Sequence, residues 1–181
     1  MPDSRTNKHD QAAVTLAAMT ASDWPAVVRI YRQGIDTGHA TFAAQPPATW
    51  REWRKGKINS CSIIAQQGGE MMGWAALSPV SSRTVYAGVA EVSIYISVKG
   101  RGRGIGSLLL QQLISKSEEH GIWTLQAGIF PENQASLRLF FKNGFRRVGI
   151  RQKLGKMARG EFKGRWRDVI LLERRSPIVG R

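Results

Sequence analysis

Cysteine and histidine are scarce in this chain of 181 residues. Cys61 is the single cysteine, and the three histidines, His9, His39 and His120, are far apart in the sequence. One cysteine excludes an internal disulfide and every zinc pattern built from several cysteines. We therefore expect no metal site, and we expect Cys61 to be a small half-buried strand residue.

Long apolar runs are also missing. No stretch of about 18 apolar residues occurs, and the first residues, MPDSRTNKHDQAAVTL, contain neither the apolar segment of a signal peptide nor a transit-peptide pattern. We therefore expect a cytoplasmic protein without membrane partners. The length predicts one domain over residues 13 to 175, with a flexible N-terminal tail (1–12) and a basic C-terminal tail (176–181).

Acidic residues are few. Thirteen Asp and Glu oppose 27 Lys and Arg, which gives a formal net charge of +14. Such a charge favours nucleic acid, an acidic membrane surface or a polyanionic small ligand as partner. No aromatic platform for base stacking is recognisable, and only the short stretch WREWRKGK concentrates basic residues on a helix. The charge alone does not choose among these three partners, and the missing features make nucleic acid a disfavoured one.

Hydrophobic periodicity predicts six strands and four helices in the order β, α, α, β, β, β, α, β, α, β. Polar and apolar residues alternate in the fourth strand, VAEVSIYISV, so that one of its faces is polar. Together these elements predict an α/β (α+β) protein with a mixed sheet and helices on its faces. The predicted segments are the strands 14–19, 61–66, 71–77, 89–98, 121–130 and 166–172 and the helices 20–35, 48–57, 102–120 and 133–145.

The stretch VKGRGRGIGSLLL, residues 98 to 110, is a basic glycine-rich loop that leads from a strand into a helix. A helix N-terminus offers unpaired N–H groups and a positive dipole end, and glycines let the backbone approach an anion closely. The loop therefore suits phosphate, although a basic turn that merely caps a helix is an alternative. The spacing matches neither GxxxxGK[ST] nor GxGxxG.

RGRGIG, in the pattern R-x-x-G-x-G between strand and helix, resembles the acetyl-CoA pyrophosphate loop of the GNAT superfamily of N-acetyltransferases. NQASLRLFFKNGF resembles the Asn-x-x-Ser…Gly-Phe helix of the same superfamily. More narrowly, GWAALSPVSSR…Y, AEVSIYI and FKGRWRDV are similar to the phosphinothricin and methionine sulfoximine N-acetyltransferases. The resemblance extends from about Leu16 to Arg174, and it implies the GNAT acyltransferase fold with a mostly antiparallel central sheet.

The resemblance also implies how acetyl-CoA is bound. The main chain of the fourth strand would pair with the pantetheine arm, the glycine loop would surround the pyrophosphate, and a residue of the Asn-x-x-Ser helix would contact the pantetheine region. Asn133 alternatively fits a simple helix N-cap. The implied cofactor residues are Ile94, Tyr95, Ile96, Arg101, Gly102, Arg103, Gly104, Ile105, Gly106, Ser107 and Asn133.

Acetyl transfer to an amine requires a neutral amine, and an α-ammonium must first lose a proton to a base. Glu91 on the polar face of the fourth strand matches the general-base glutamate of the subfamily; a solvated strand glutamate is the alternative. By resemblance, backbone N–H groups near Ile94 would donate to the oxyanion. Phe140 occupies the position where many members have a proton-donating tyrosine, so the general acid is not identified.

Acceptors that resemble amino acids carry a carboxylate, which calls for arginine and hydroxyl donors. Arg83 and Tyr86 match the Arg…Tyr segment of the subfamily, although Ser81 stands where a further arginine is frequent. Phe42 resembles a residue of the substrate-side loop, with a core position as the alternative. Lys163 and Trp166 lie in the resembling stretch FKGRW, where a role in the dimer interface or in loop packing competes with a substrate contact.

The sequence thus predicts an acetyl-CoA-dependent N-acetyltransferase, without metal, that acetylates the α-amino group of a small amino-acid analogue of the phosphinothricin, methionine sulfoximine or arsinothricin type. Resemblance to the subfamily also implies a homodimer. Two alternatives stay open. One is transfer to a protein N-terminus or a polyamine, and the other is a basic nucleic-acid-binding module whose GNAT-like site is idle.

Overall fold

Strands and helices alternate along residues 12 to 181, the part of the chain that the computed structural model describes. The predicted flexible tail of residues 1 to 12 lies outside the described residues except for Ala12. The strands are β1 (Thr15–Ala18), β2 (Ser62–Gln67), β3 (Glu70–Pro79), β4 (Val89–Ile96), β5 (Thr124–Ile129), β6 (Arg146–Lys156) and β7 (Trp166–Arg175). The helices are α1 (Trp24–Asp36), α2 (Trp50–Lys55), α3 (Ile105–Glu119) and α4 (Gln134–Lys142).

The seven strands form one sheet in the order β1-β2-β3-β4-β5-β7-β6. Every neighbouring pair is antiparallel except β4 and β5. The two core layers contain residues of α3 and α4 in one case and of α1 and α2 in the other, so helices cover both faces of the sheet. This arrangement confirms the predicted mixed, mostly antiparallel sheet.

The parallel pair β4 and β5 is joined over only part of its length. Val89–Glu91 pair with Thr124–Gln126. Beyond these residues β4 continues to Ile96 and β5 to Ile129, but the two strands no longer pair with each other. The two strands therefore separate beyond Glu91. A cleft opens there in the middle of the sheet. On the sides that face this cleft, the main chains of β4 and β5 have no partner strand.

The side chains of β4 alternate between the two faces of the sheet. Val92 packs in the core beneath α3, with Leu109 and Leu113, whereas Tyr95 packs beside Trp74 on the α1 side. Glu91 shares the α1 face with Tyr95, because the two residues are separated by an even number of positions.

The strand β6 was not predicted, and the expected count of six strands is therefore wrong. Most of its residues are exposed, and its sequence, RRVGIRQKLGK, alternates little between polar and apolar residues. Because β6 is an edge strand that buries neither face, it shows no period-2 signal. Backbone hydrogen bonds to β7 define the strand instead.

The helix expected from residue 102 begins at Ile105. Gly102 and Gly104 have φ values of 72° and 78°, in the left-handed region that glycine adopts readily, so the chain turns at these two residues before the helix starts. The apolar residues of this segment predict a buried helix face of Ile105, Leu108, Leu109, Leu113 and Ile114. In the structure Leu108 is 42% exposed, and Leu110 is buried instead.

Cys61 is fully buried rather than half-buried, and it ends a short 3₁₀ turn, Asn59–Cys61, instead of lying in β2. Burial raises the pKa of its thiol, so the thiol stays protonated at neutral pH.

In the C-terminal segment that follows β7, Ser176 is buried, and the Arg175 guanidinium donates to the Val179 carbonyl.

Candidate active site

A groove of about 580 Å³ lies between the end of β4 and the N-termini of α3 and α4. Its wall contains the segments that the sequence assigned to the cofactor. The predicted cofactor residues that line the groove are Ile94, Tyr95, Ile96, Arg101, Gly102, Gly104, Ile105, Gly106, Ser107 and Asn133. Arg103 does not line it and instead donates to the Lys99 carbonyl and to Gln67.

The glycine loop at one end of the groove is shaped for an anion. A Cβ at Gly102 or Gly104 would meet nothing within 4 Å, so the space above both residues is open. The first N–H groups of α3 follow directly, and the exposed Arg101 guanidinium has no hydrogen bond or ion pair among residues 12 to 181. These residues fit a pyrophosphate, which needs N–H donors and positive charge.

A second cavity, of about 270 Å³, continues from the groove into the cleft between β4 and β5. Residues of β4, β5 and the loop that contains Thr41 and Phe42 line it. Glu91 lines this smaller cavity and not the groove. The two spaces share the residues His39, Ala40, Ile94, Tyr95, Asn133 and Ser136, which therefore form the junction between them.

Tyr95 lies at this junction and is held on three sides. Its ring stacks on Trp74 with centroids 4.7 Å apart, and its centroid is 4.6 Å from that of Tyr31. Burial is the main cause that raises the pKa of Tyr95 well above its usual value, and the nearby Tyr31 adds to the rise. A hydrogen bond with Thr41 opposes it. Tyr95 therefore remains a neutral phenol over the working pH range.

Glu91 is exposed toward the cavity and has no hydrogen bond or ion pair within the described part of the chain. Ser78 lies opposite it across the β3–β4 pair. The Lys57 ammonium donates to the Ser78 hydroxyl over 2.8 Å. A cation is therefore held on the same side of the sheet as Glu91. Burial lowers the pKa of Lys57, and the charge of Glu91 partly offsets this effect.

Asn133 lines the groove and has one of the two roles that the sequence left open for it, that of a helix N-cap. Its Oδ1 accepts the Ser136 N–H over 3.1 Å, which makes Asn133 the N-cap of α4. Its Nδ2 donates to the His39 carbonyl over 3.0 Å. Asn133 thus fixes the loop at the junction, and a contact to the cofactor stays a prediction.

The predicted acceptor residues lie in different places. Phe42 lines the smaller cavity and packs edge-on against Phe130. Arg83 and Tyr86 lie together in an exposed turn, with the guanidinium 5.4 Å from the ring centroid, and line neither cavity. The role of these two in acceptor binding stays a prediction.

Two other predicted positions also have a clear placement. Phe140 lines the cavity but is 2% exposed and packs against Phe145, and its ring has no proton to donate. Lys163 and Trp166 are both exposed and line neither space, and Trp166 is 58% exposed.

Sequence reasoning missed Arg167, a buried arginine in β7. Its guanidinium lies over the rings of Phe130 and Phe162, at 4.2 and 4.4 Å from their centroids. It donates to the Gly38 carbonyl over 3.0 Å and to Nδ1 of His39 over 3.3 Å. Because a guanidinium can only donate, Nδ1 of His39 accepts this hydrogen bond. The single N–H proton of the neutral imidazole is therefore on Nε2. Arg167 thereby holds the loop that begins at Gly38 against β7.

Sequence reasoning also did not identify His39, Thr41 and Arg151 as cavity residues. His39 and Thr41 closely precede Phe42, so the stretch GHATFAAQP contained a usable signal for these two. Arg151 lies in the polar strand β6, where one arginine among several basic residues has no distinguishing pattern.

Within residues 12 to 181, no group of three or more His, Cys, Asp or Glu side chains is arranged to hold a metal ion. No helix in the same part of the chain has the length and apolar character needed to cross a membrane.

Comparison with known proteins agrees with this geometry. Residues 24–145 match the model of the acetyltransferase (GNAT) family. The phosphinothricin N-acetyltransferase of Streptomyces coelicolor is 36% identical over 170 residues, 90% of this chain and 96% of the relative. The L-methionine sulfoximine/L-methionine sulfone acetyltransferase of Pseudomonas aeruginosa is 26% identical over 157 residues, 84% of this chain and 88% of the relative.

A solved structure is also similar. It is a GNAT superfamily phosphinothricin acetyltransferase from Sinorhizobium meliloti in complex with AcCoA, with a TM-score of 0.79 and 29% identity over 90% of this chain and 88% of that one. The groove, the glycine loop and the family match together identify an enzyme that uses acetyl-CoA. This chain belongs to the GNAT family of N-acetyltransferases and is similar within it to the phosphinothricin and methionine sulfoximine enzymes.

Proposed function

We propose that the protein transfers an acetyl group from acetyl-CoA to the α-amino group of a small amino-acid analogue of the phosphinothricin or methionine sulfoximine type. The observation that carries this proposal is the junction of the two cavities. The groove with the anion loop ends where the smaller cavity with Glu91 begins. An acceptor in the smaller cavity would therefore meet the end of the cofactor that carries the acetyl group.

Acetyl-CoA supplies an activated acetyl group when it is bound, and the chain supplies its placement and a base. Glu91 takes a proton from the acceptor ammonium, directly or through water, which leaves a neutral amine able to attack. Among residues 12 to 181, no other carboxylate lines the smaller cavity. The main chain of β4 beyond Glu91, unpaired toward β5, offers N–H groups and carbonyls to the cofactor.

The smaller cavity favours this acceptor class over the alternatives. Its volume of about 270 Å³ accommodates a molecule of amino-acid size. Arg151 in its wall repels a polyamine, which carries several positive charges. The nucleic-acid alternative is supported only by the net charge of +14.

An acceptor panel tests the proposal. Release of CoA thiol from acetyl-CoA is measured with L-phosphinothricin, L-methionine sulfoximine, spermidine and a peptide with a free N-terminus, and the acetylated product is identified by mass spectrometry. We expect turnover with the two amino-acid analogues. Turnover with spermidine or the peptide alone would replace the proposed acceptor, and DNA binding without acetyl-CoA binding would overturn the proposal. A blank without acceptor corrects for Cys61.

A homodimer and a cytoplasmic location also remain proposals. Resemblance to the subfamily supports the dimer, and the exposed Trp166 together with the apolar residues Val148 and Ile150 on the edge strand is compatible with it. Light scattering after size-exclusion chromatography tests the dimer: a mass near twice 20.1 kDa is expected, and a mass near 20.1 kDa would contradict it.

A further inference from the structure

Arg151 is the feature of the smaller cavity that the sequence and the family resemblance left without a role. In the part of the chain that the structure describes, Glu91 and Arg151 are the two Asp, Glu, Lys or Arg residues that line this cavity. Neither side chain has a hydrogen bond or an ion pair among residues 12 to 181. Within the described residues, a carboxylate and a guanidinium that form no hydrogen bond or ion pair thus share one small space.

A bulge in β6 follows directly after Arg151. Arg151 pairs with Val169 and Gly155 pairs with Arg167, so three residues of β6 lie opposite the single residue Asp168 of β7. The extra residues bend the strand and redirect its side chains. Lys153 inside the bulge has a φ of 46°, and its N–H donates to the Asp168 carboxylate over 2.7 Å.

The register shows which way Arg151 faces. Residues directly opposite each other in a β-pair project from the same face of the sheet. Val169, the partner of Arg151, is buried and lines the same cavity. Beyond the bulge, a Cβ on Gly155 would lie 2.8 Å from the Phe42 ring, so β6 and the loop containing Phe42 pack closely at this wall.

The two charged residues come from opposite sides of the cleft. In the sheet, β5 and β7 lie between β4, which carries Glu91, and β6, which carries Arg151. An α-amino acid carries an ammonium and a carboxylate one carbon apart from each other. Its ammonium is complementary to Glu91, and its carboxylate accepts two parallel N–H bonds from a guanidinium.

We propose that Arg151 is a specificity-determining residue that binds the carboxylate of the acceptor while Glu91 receives its amino group. This inference rests on the proposed function and adds the reason why amino acids are chosen over other amines. The sequence placed the acceptor arginine at Arg83, which lies in an exposed turn outside the cavity.

A matched pair of acceptors tests this role. L-Methionine sulfone carries a carboxylate, whereas its α-carboxamide keeps the amine and is neutral at that end. The values of kcat/KM for both are measured by CoA release with the wild type, Arg151→Gln and Arg151→Lys. Arg147→Gln is the control, because Arg147 is an exposed cation of the same strand that lines neither cavity.

We expect Arg151→Gln to lower kcat/KM for the acid by about 10- to 100-fold, mainly through KM, as for loss of a charge-assisted hydrogen bond. The carboxamide should change by less than about two-fold, since it offers no carboxylate to Arg151. Arg151→Lys should recover part of the loss, and Arg147→Gln should behave as the wild type. The KM for acetyl-CoA should not change in any variant.

The outcomes separate the two proposals. An unchanged ratio of acid to carboxamide in Arg151→Gln, with an active wild type, would overturn the role of Arg151 and leave the proposed function standing. An equal effect of Arg147→Gln would assign the loss to net charge and also overturn it. A wild type that acetylates neither compound would overturn the proposed acceptor class, and this inference with it.

Discussion

Arg167 donates a hydrogen bond from Nη2 to Oε2 of Glu132 over 2.9 Å, although Arg167 is 5% exposed and Glu132 is 53% exposed. The pair joins β7 to the segment before α4. The same guanidinium holds the loop at Gly38 and packs between two phenylalanine rings. The wall shared by the two cavities therefore depends on one buried cation whose partner is near the surface.

Removing the buried member of this pair should cost more than removing the exposed one. We expect Arg167→Leu to lower the free energy of unfolding by about 2 to 4 kcal/mol, through lost hydrogen bonds and cation–π contacts. Glu132→Gln should cost less than about 1 kcal/mol, because the exposed carboxylate is solvated in both states. Urea denaturation measures both, and equal losses would contradict the assigned importance of Arg167.

The same pair predicts a loss of stability in acid. Partial burial raises the pKa of Glu132, but the hydrogen bond from Arg167 and the positive charge around it outweigh this, and the pKa lies below its ordinary value. The unfolded chain thus binds this proton first. The stabilisation is complete above about pH 4.5 and is lost as the pH falls through the lower folded pKa.

We expect Glu132→Gln to flatten the decline of the unfolding free energy between about pH 5 and pH 3 relative to the wild type. Urea denaturation across this pH range gives the two curves. Parallel curves would show that the Arg167–Glu132 pair contributes nothing to acid sensitivity.

Gly34 leaves room for the ring of Tyr95. A Cβ on Gly34 would lie 2.6 Å from Cδ1 of Tyr95, in the wall of the groove. Gly34→Ala should therefore displace the ring, lower the free energy of unfolding by about 1 to 3 kcal/mol and raise the KM for acetyl-CoA. Gly56→Ala is the control, since a Cβ there meets nothing within 4 Å. If both variants match the wild type, the close packing is unimportant.

The anion loop makes a separate prediction about the cofactor. Arg101→Gln should raise the KM for acetyl-CoA by about 10-fold and leave the acceptor KM unchanged, because one charged donor to phosphate is lost. The effect should shrink as salt is added. Arg51→Gln, an exposed arginine of α2 that lines neither cavity, serves as control. An equal effect of both substitutions would indicate general charge attraction rather than a specific contact.

The predictable parts of this molecule are those with a local signal. The alternation of β4 and the glycine loop after it are readable in the sequence, and the groove is built from both. The N-cap pattern at Asn133 is also local, and it predicts the start of α4. The family motifs added the identity of the anion, which loop chemistry alone leaves open.

The parts that could not be predicted depend on tertiary placement. Strand β6 exists because it pairs with β7, and Arg151 faces the cavity because it pairs with Val169 of β7. Arg167 is stabilised inside the protein by partners that are distant in sequence, Gly38 among them. Neither arginine differs, by local pattern, from the other basic residues of this strongly basic segment.

Glu91, as the base at the junction, is the central residue of the proposed reaction. Turnover of acetyl-CoA with L-phosphinothricin is compared in the wild type, Glu91→Gln and the control Glu161→Gln, an exposed glutamate that lines neither the groove nor the smaller cavity. We expect Glu91→Gln to lower kcat by about 100-fold or more with acetyl-CoA affinity unchanged, and the control to match the wild type. Full turnover by Glu91→Gln would contradict the account.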